Sequence, residues 1–185
     1  MYSRQKDDEP KFAFKLCIFG AGGVGKTTLI RRFVTKVFEE DIKMTIGAEF
    51  SIKNVTVDSN TVTLRIWDFA GEERFRVLLP SFAKGANGGI FMYDITRHSS
   101  IKEINDWLSI FEYFVSKSKK KIPIIMVGGK NDLVDKRSVE AEEAIELSRS
   151  LDLQGYFECS SKTGDKVEEI FVYIANKMFE NSQQK

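Results

Sequence analysis

Residues 20–27 read Gly-Ala-Gly-Gly-Val-Gly-Lys-Thr, and no other feature of the chain constrains its fold as sharply. A short apolar run, Phe12–Phe19, leads into this turn, and residues 26–36 leave it with a helical pattern. Strand, glycine-rich turn and helix form the setting in which Gly-x-x-x-x-Gly-Lys-Thr cradles phosphates. The turn aims the amides of Gly23, Val24, Gly25 and Lys26 inward as an anion nest, and the helix adds the positive end of its dipole. Lys26 supplies a point charge for β and γ oxygens, and Thr27 a hydroxyl for Mg²⁺. Gly22, Gly23, Val24, Gly25, Lys26, Thr27 and Thr28 are the candidates on the phosphate side. A plain connecting turn is the alternative, and the flanking strand and helix weigh against it. The motif implies a nucleoside triphosphate, without naming the base or the reaction.

The rest of the chain supplies a sheet for that loop. Residues 50–57 and 61–67 alternate apolar and polar around Asp58-Ser59-Asn60, which predicts a β-hairpin. Residues 89–93 and 122–127 are continuous apolar runs, typical of strands covered on both faces. Ile101, Ile104, Trp107, Leu108, Phe111 and Val115 recur at helical spacing, as do Val167, Ile170, Phe171, Ile174 and Met178. Residues 138–151 read as another helix with Ser138 as N-cap. Ala141 leaves its capping box incomplete, while Glu140 and Glu142 suit its positive end. Strands alternating with helices predict an α/β fold: a mostly parallel sheet with helices on both faces and one antiparallel edge strand from the hairpin. Ligands of such sheets sit at the carboxyl ends of the strands.

Composition removes several classes of function. A chain of 185 residues suits one domain with its own core. Its 28 basic and 27 acidic residues leave a charge of +1, which argues against nucleic acid as a partner. Two cysteines, Cys17 and Cys159, and one histidine, His98, make neither a disulfide scaffold nor a zinc site. The expectation is a cytoplasmic protein with reduced thiols, the cysteines being small buried hydrophobes. No uncharged stretch reaches the ~20 residues of a membrane helix. The first residues are polar rather than signal-like, and the last five offer no cysteine for prenylation. Lys117, Lys119, Lys120 and Lys121 read as a solvated helix end, with an anionic membrane surface as the sharper alternative. The 15 phenylalanines suggest an aromatic-rich core with some rings on a binding surface.

Two further stretches narrow the class. Trp67-Asp68-Phe69-Ala70-Gly71 ends the hairpin. An Asp at that strand end can hold Mg²⁺ through water, and Gly71 can bring its amide to a γ-phosphate. Gly129-Lys130-Asn131-Asp132 follows another strand, and a carboxylate there can accept both N1–H and N2–H₂ of guanine. Together with Thr45-Ile46-Gly47-Ala48-Glu49-Phe50, Phe91 to Thr96 and Cys159-Ser160-Ser161-Lys162, these motifs resemble a Ras-superfamily small GTPase, most like the Rab branch, from about Lys11 to Phe179.

That resemblance implies a P-loop NTPase of the small G-domain type with a six-stranded sheet. It also implies an N-terminal extension at 1–10, a G domain at 11–180 and a polar tail at 181–185. Thr45 should coordinate Mg²⁺ with the triphosphate only, making Thr27, Thr45 and Asp68 the metal set. Phe38 should pack on guanine, Asp132 read it, Lys130 lie along it, the Ser161 amide meet its carbonyl and Lys162 flank it. Lys26, Thr45, Gly71 and residue 72 form the catalytic set. Effectors, exchange factors and activating proteins should bind a monomer through residues 38–50 and 67–82, including the trio Phe50, Trp67 and Phe82.

Two positions depart from the family. Glu72 stands where the family has the Gln that orients the attacking water. A carboxylate can accept a proton from water but donates no hydrogen bond while ionised, so hydrolysis can persist, weaken or change its pH dependence. Gly129 replaces an Asn whose amide ties the base loop to the phosphate loop, which predicts looser binding. The main reading is a GTP/GDP switch that hydrolyses GTP with Mg²⁺. A nucleotide-gated module with little hydrolysis and an ATP-using P-loop kinase are the rivals.

Asp132→Asn is expected to weaken guanine binding and relax base choice, because an amide misplaces one donor where two must be accepted. Each charged hydrogen bond is worth ~1.5–3 kcal/mol. Competition between GTP and xanthosine triphosphate measures it, and full retention of the GTP preference would assign base reading to another residue.

Overall fold

The computed structural model describes residues 12–115 and 121–184. The expected extension at 1–10 and Lys117, Lys119 and Lys120 lie outside them. Strands β1 (Phe12–Phe19), β2 (Ala48–Val57), β3 (Asn60–Phe69), β4 (Gly88–Asp94), β5 (Ile124–Gly129) and β6 (Tyr156–Glu158) form one sheet in the order β2-β3-β1-β4-β5-β6. Only β2 runs antiparallel, at one edge, as the hairpin pattern implied. Asp58 and Ser59 close that hairpin with φ of 45° and 64°. Paired positive φ values match the twist of the two strands, and Asn60 already belongs to β3.

The apolar runs are buried on both sides, so alternate residues of one strand feed two cores. Phe14, Leu16 and Ile18 of β1 face helices α1 (Lys26–Thr35) and α6 (Val167–Gln183), where Phe33 stacks on Phe171 at 3.9 Å. Cys17 and Phe19 face α2 (Leu79–Ala83), α3 (Ser99–Lys102), α4 (Ile104–Val115) and α5 (Ala141–Ser150). There Phe19 stacks on Phe111 at 4.7 Å and Trp107 is fully buried. Gly88 and Gly89 let both helix layers approach: side chains there would meet Met178 Sδ at 2.7 Å and the Phe111 ring at 3.1 Å.

Three elements differ from the sequence pattern. The run from Ile101 breaks into α3 and α4 at Glu103, whose carboxylate pairs with Arg76 and accepts the Trp107 indole at 3.3 Å. Val115, last of that series, lies outside the described side chains. α5 starts at Ala141 with Glu140 as N-cap, so Ser138 is not its cap. Ser138 instead donates its amide to the Ile95 carbonyl at 2.8 Å, which ties the loop to the end of β4. α6 continues through Asn181 to Gln183.

The register aligns the carboxyl ends of the central strands. Ile18 pairs with Asp68, Phe19 with Phe91, and Asp94 with Gly129. The phosphate-loop motif, Asp68, Asp94 and the Gly129–Asp132 stretch therefore emerge along one ledge.

Burial pushes the thiols of Cys17 and Cys159 up to about 12. Thiolate is the reactive form. Native protein at neutral pH is expected to release no thionitrobenzoate from a disulfide reagent within minutes, and two equivalents after denaturation. Rapid native labelling would place a cysteine at the surface.

Candidate functional site: a phosphate loop, an oxygen cluster and a base-side loop

The loop after β1 folds back on the sheet because Gly20 has no side chain. With φ of 140°, a Cβ there would lie 2.1 Å from the Met92 carbonyl oxygen. Lys26, 6% exposed at the start of α1, crosses beneath the loop and donates to the carbonyls of Gly20 and Ala21, both at 2.8 Å. Burial lowers its pKa to about 8, against the opposing pull of Asp68. An anion placed in the loop would offset that desolvation.

Thr27, Thr45 and Asp68 bring three segments together. Thr27 Oγ1 donates to Asp68 Oδ2 at 2.5 Å and lies 2.7 Å from Thr45 Oγ1, which is 3.4 Å from the same carboxylate oxygen. Desolvation raises Asp68 to about 6, and the hydrogen bond from Thr27 works against it. Asp68 Oδ1 is buried without a partner among the described residues. One carboxylate with a spare buried oxygen and two hydroxyls form the hard donor set that suits Mg²⁺ shared with phosphate oxygens. Among the described residues no group of three His, Cys, Asp or Glu could hold a metal alone.

A cleft of about 270 Å³ runs past this cluster, lined by Gly22, Gly23, Gly25 to Thr28, Thr45, Gly71, Glu72 and Lys130 among others. Gly71 presses its backbone on the phosphate loop: a Cβ there would stand 2.3 Å from the Gly22 nitrogen. Glu72, beside it, is held by Arg74, whose Nε lies 2.6 Å from Oε2. The cleft continues into a second lobe of about 260 Å³ that adds Val24, Phe38, Asp132, Ser161 and Lys162. Every residue expected at the site from the sequence therefore lines this cleft or, as Asp68 does, lies beside it.

The lining of the second lobe is held by residues to which the motifs give no role: Asp94, Asn131, Arg137, Glu158 and Ser160. Lys130, at a left-handed φ of 68°, donates to Asp94 Oδ2 at 2.6 Å. Burial would raise Asp94, but the bonds from Lys130 and Thr96 outweigh it and hold the carboxyl below its usual range. Ser160 Oγ donates to Asp132 Oδ1 at 2.6 Å, and the Asn131 amide to the Cys159 carbonyl at 2.9 Å. Arg137 grips Glu158 with two nitrogens at 2.7 Å and braces the same loop. Asp94 lies inside the Phe91 to Thr96 stretch that carries the resemblance, but that stretch gives it no role.

Apolar surface gathers beside the cleft. Phe50 meets Trp67 edge-on at 5.2 Å, and Trp67 lies 5.5 Å from Phe82. Met44, Ile46, Val77 and Leu78 are exposed nearby in sequence. His98 pairs with Glu143, and Lys121, the described member of the basic cluster, with Asp152.

Sheet order, loop and oxygen cluster define a P-loop nucleotide-binding domain of the small G type. The Ras family model matches residues 15–180, so the chain belongs to the Ras family, and within it is a Rab-like small GTPase: a GTP-binding switch that hydrolyses GTP. It is 39% identical to human Ras-related protein Rab-30 over 173 residues, covering 94% of this chain and 83% of that protein. It is 38% identical over 185 residues to RABA6b of Arabidopsis thaliana, covering 100% and 79%. Against Rab-1 of Theileria annulata it is 37% identical over 171 residues, covering 92% and 76%. Proteins of this family bind GTP or GDP with Mg²⁺, and effectors and regulators. Among the described residues no helix is long and apolar enough to cross a membrane.

Gly71→Ala is expected to force the stretch after β3 off the phosphate loop, because the added methyl meets backbone with nowhere to yield. Limited proteolysis with a non-hydrolysable GTP analogue should then cut this segment as fast as with GDP. Protection equal to wild type would contradict the close approach.

Proposed function

We propose that this chain takes GTP along the cleft with the phosphates on residues 22–28 and the guanine between Phe38, Lys130, Asp132, Ser161 and Lys162. The observation that carries this reading is the meeting of Thr27, Thr45 and Asp68, since it joins the phosphate loop, the 38–48 segment and the strand leading to Gly71. Those three residues would hold Mg²⁺, which supplies charge neutralisation between β- and γ-phosphates when bound. Lys26 neutralises the same oxygens, Gly71 offers its amide, and Glu72 accepts a hydrogen bond from the attacking water. Thr45 and Gly71 engage only when the γ-phosphate is present, so residues 38–48 and 69–80 order with GTP and release after hydrolysis.

On this reading residues 11–180 act as the G domain of a cytoplasmic monomer that serves membrane traffic or signalling. Partners dock on 38–50 and 67–82, where Phe50, 49% exposed, heads the aromatic trio. The Arg74–Glu72 ion pair favours one second reading, a switch with little hydrolysis of its own, because the guanidinium competes with water for the carboxylate. Acid extraction of purified protein should yield GDP or GTP; recovery of an adenine nucleotide would overturn the base assignment.

Single-turnover hydrolysis separates the two readings. Glu72→Ala should turn over about tenfold more slowly than wild type or worse, and Glu72→Gln should retain turnover. One rate for all three proteins across pH would make Glu72 a bystander, and a wild type without turnover would leave the poorly hydrolysing switch.

A further inference from the structure

The end of β4 lies under the phosphate loop and touches both of its halves. Arg97, three residues beyond that strand, donates from Nη2 to the Gly22 carbonyl at 2.6 Å, and its Nη1 stands 3.9 Å from where a Gly23 Cβ would lie. Gly22 C=O and Gly23 N–H belong to one peptide plane and point in opposite directions in the trans form. A guanidinium that draws the carbonyl outward therefore aims the Gly23 amide into the nest. Arg97 is exposed, so it holds the loop from its solvent side.

On the core side the holder is Met92, 1% exposed. Its terminal methyl lies 3.6 Å from the Cβ position of Gly25 and 2.5 Å from that of Gly129, which also stands 3.1 Å from the Val24 carbonyl oxygen. The thioether thus fills the gap between the phosphate loop and the base-side loop, in the space that a side chain at residue 129 would share. Thioethers pack well into irregular gaps of this kind.

We infer that Arg97 and Met92 are positioning residues for the nucleotide: Arg97 orients the Gly22–Gly23 peptide, and Met92, paired with Gly129, fixes the spacing of the phosphate and base-side loops. The chain then needs no side chain at position 129 to couple the two loops, and the looser binding expected from Gly129 does not follow. The inference rests on the nucleotide reading of the cleft. Binding energy at the loop amides depends on their direction, so a small rotation of one peptide shortens nucleotide residence more than it alters folding.

The test is the release rate of fluorescent GDP from purified protein in excess unlabelled GDP, with thermal unfolding of the GDP-bound protein alongside. Arg97→Ala should release GDP about fivefold to tenfold faster, the upper part of the range for an ordinary net hydrogen bond because Arg97 is exposed to solvent, with Arg97→Lys in between. Met92→Val and Gly129→Asn should each speed release, the first by leaving a gap and the second by crowding Met92 and Val24. The double variant M92V/G129N should release GDP about threefold more slowly than the product of the single effects, because the two side chains share one space. Wild-type release from Arg97→Ala, or effects at 92 and 129 that simply multiply, would overturn the inference while leaving nucleotide binding intact. Failure of the unaltered protein to bind GDP would overturn the nucleotide reading and this inference with it.

Discussion

A buried carboxylate with one oxygen to spare organises this molecule. Asp68 sits at the end of β3, nearly out of water, and takes a hydroxyl from α1 and another from the segment before β2. Such a group is costly unless something positive meets it, and only part of that cost is met by Thr27, Thr45 and nearby Lys26. Lys26 is in the mirrored position, a buried ammonium that satisfies itself on loop carbonyls. Both groups would be better solvated by a metal-bound polyphosphate than by each other. On the proposed reading ligand and fold would therefore stabilise one another, with the segments that carry Thr45 and Gly71 closing on the ligand.

The sheet and the phosphate side were legible because their signals are local. Strand, glycine turn and helix occupy consecutive residues, and the hairpin announces itself by alternation around Asp58. Thr27, Thr45 and Asp68 were found by motif, and the structure brings them together from three segments. What stayed hidden depends on distant partners. Ser138 looked like a cap, but the Ile95 carbonyl claims its amide, so α5 begins at Ala141. The break at Glu103 carries no Gly or Pro; an arginine from the stretch before α2 and the Trp107 indole draw its carboxylate aside. Asp94 lies in a quoted motif stretch, but its bond to Lys130 exists only once β4 and β5 are in register.

The base-side loop illustrates how several weak holds replace one strong one. Lys130 is pinned by Asp94, Asp132 by Ser160, Asn131 by the Cys159 carbonyl, and Arg137 closes the back through Glu158. Each hydrogen bond is modest alone, but every partner is itself fixed by strand or turn, so little freedom remains to be lost on binding. The aromatic trio is set in the same way: Phe50 and Trp67 pair across β2 and β3, and Phe82 of α2 packs on Trp67, so the rings are oriented before any partner would reach them.

The seating of the two sulfhydryls has a further meaning. Cys159 belongs to the backbone that holds Asn131, immediately before Ser160 and Ser161, and Cys17 is two residues from the end of β1. Either would be a damaging place for a sulfenic acid, since a bulky oxygenated sulfur would wedge apart the layers it sits between. With both fully covered and held protonated, peroxide finds no thiolate to attack. Neither cysteine thereby couples the site to the oxidant level of its surroundings.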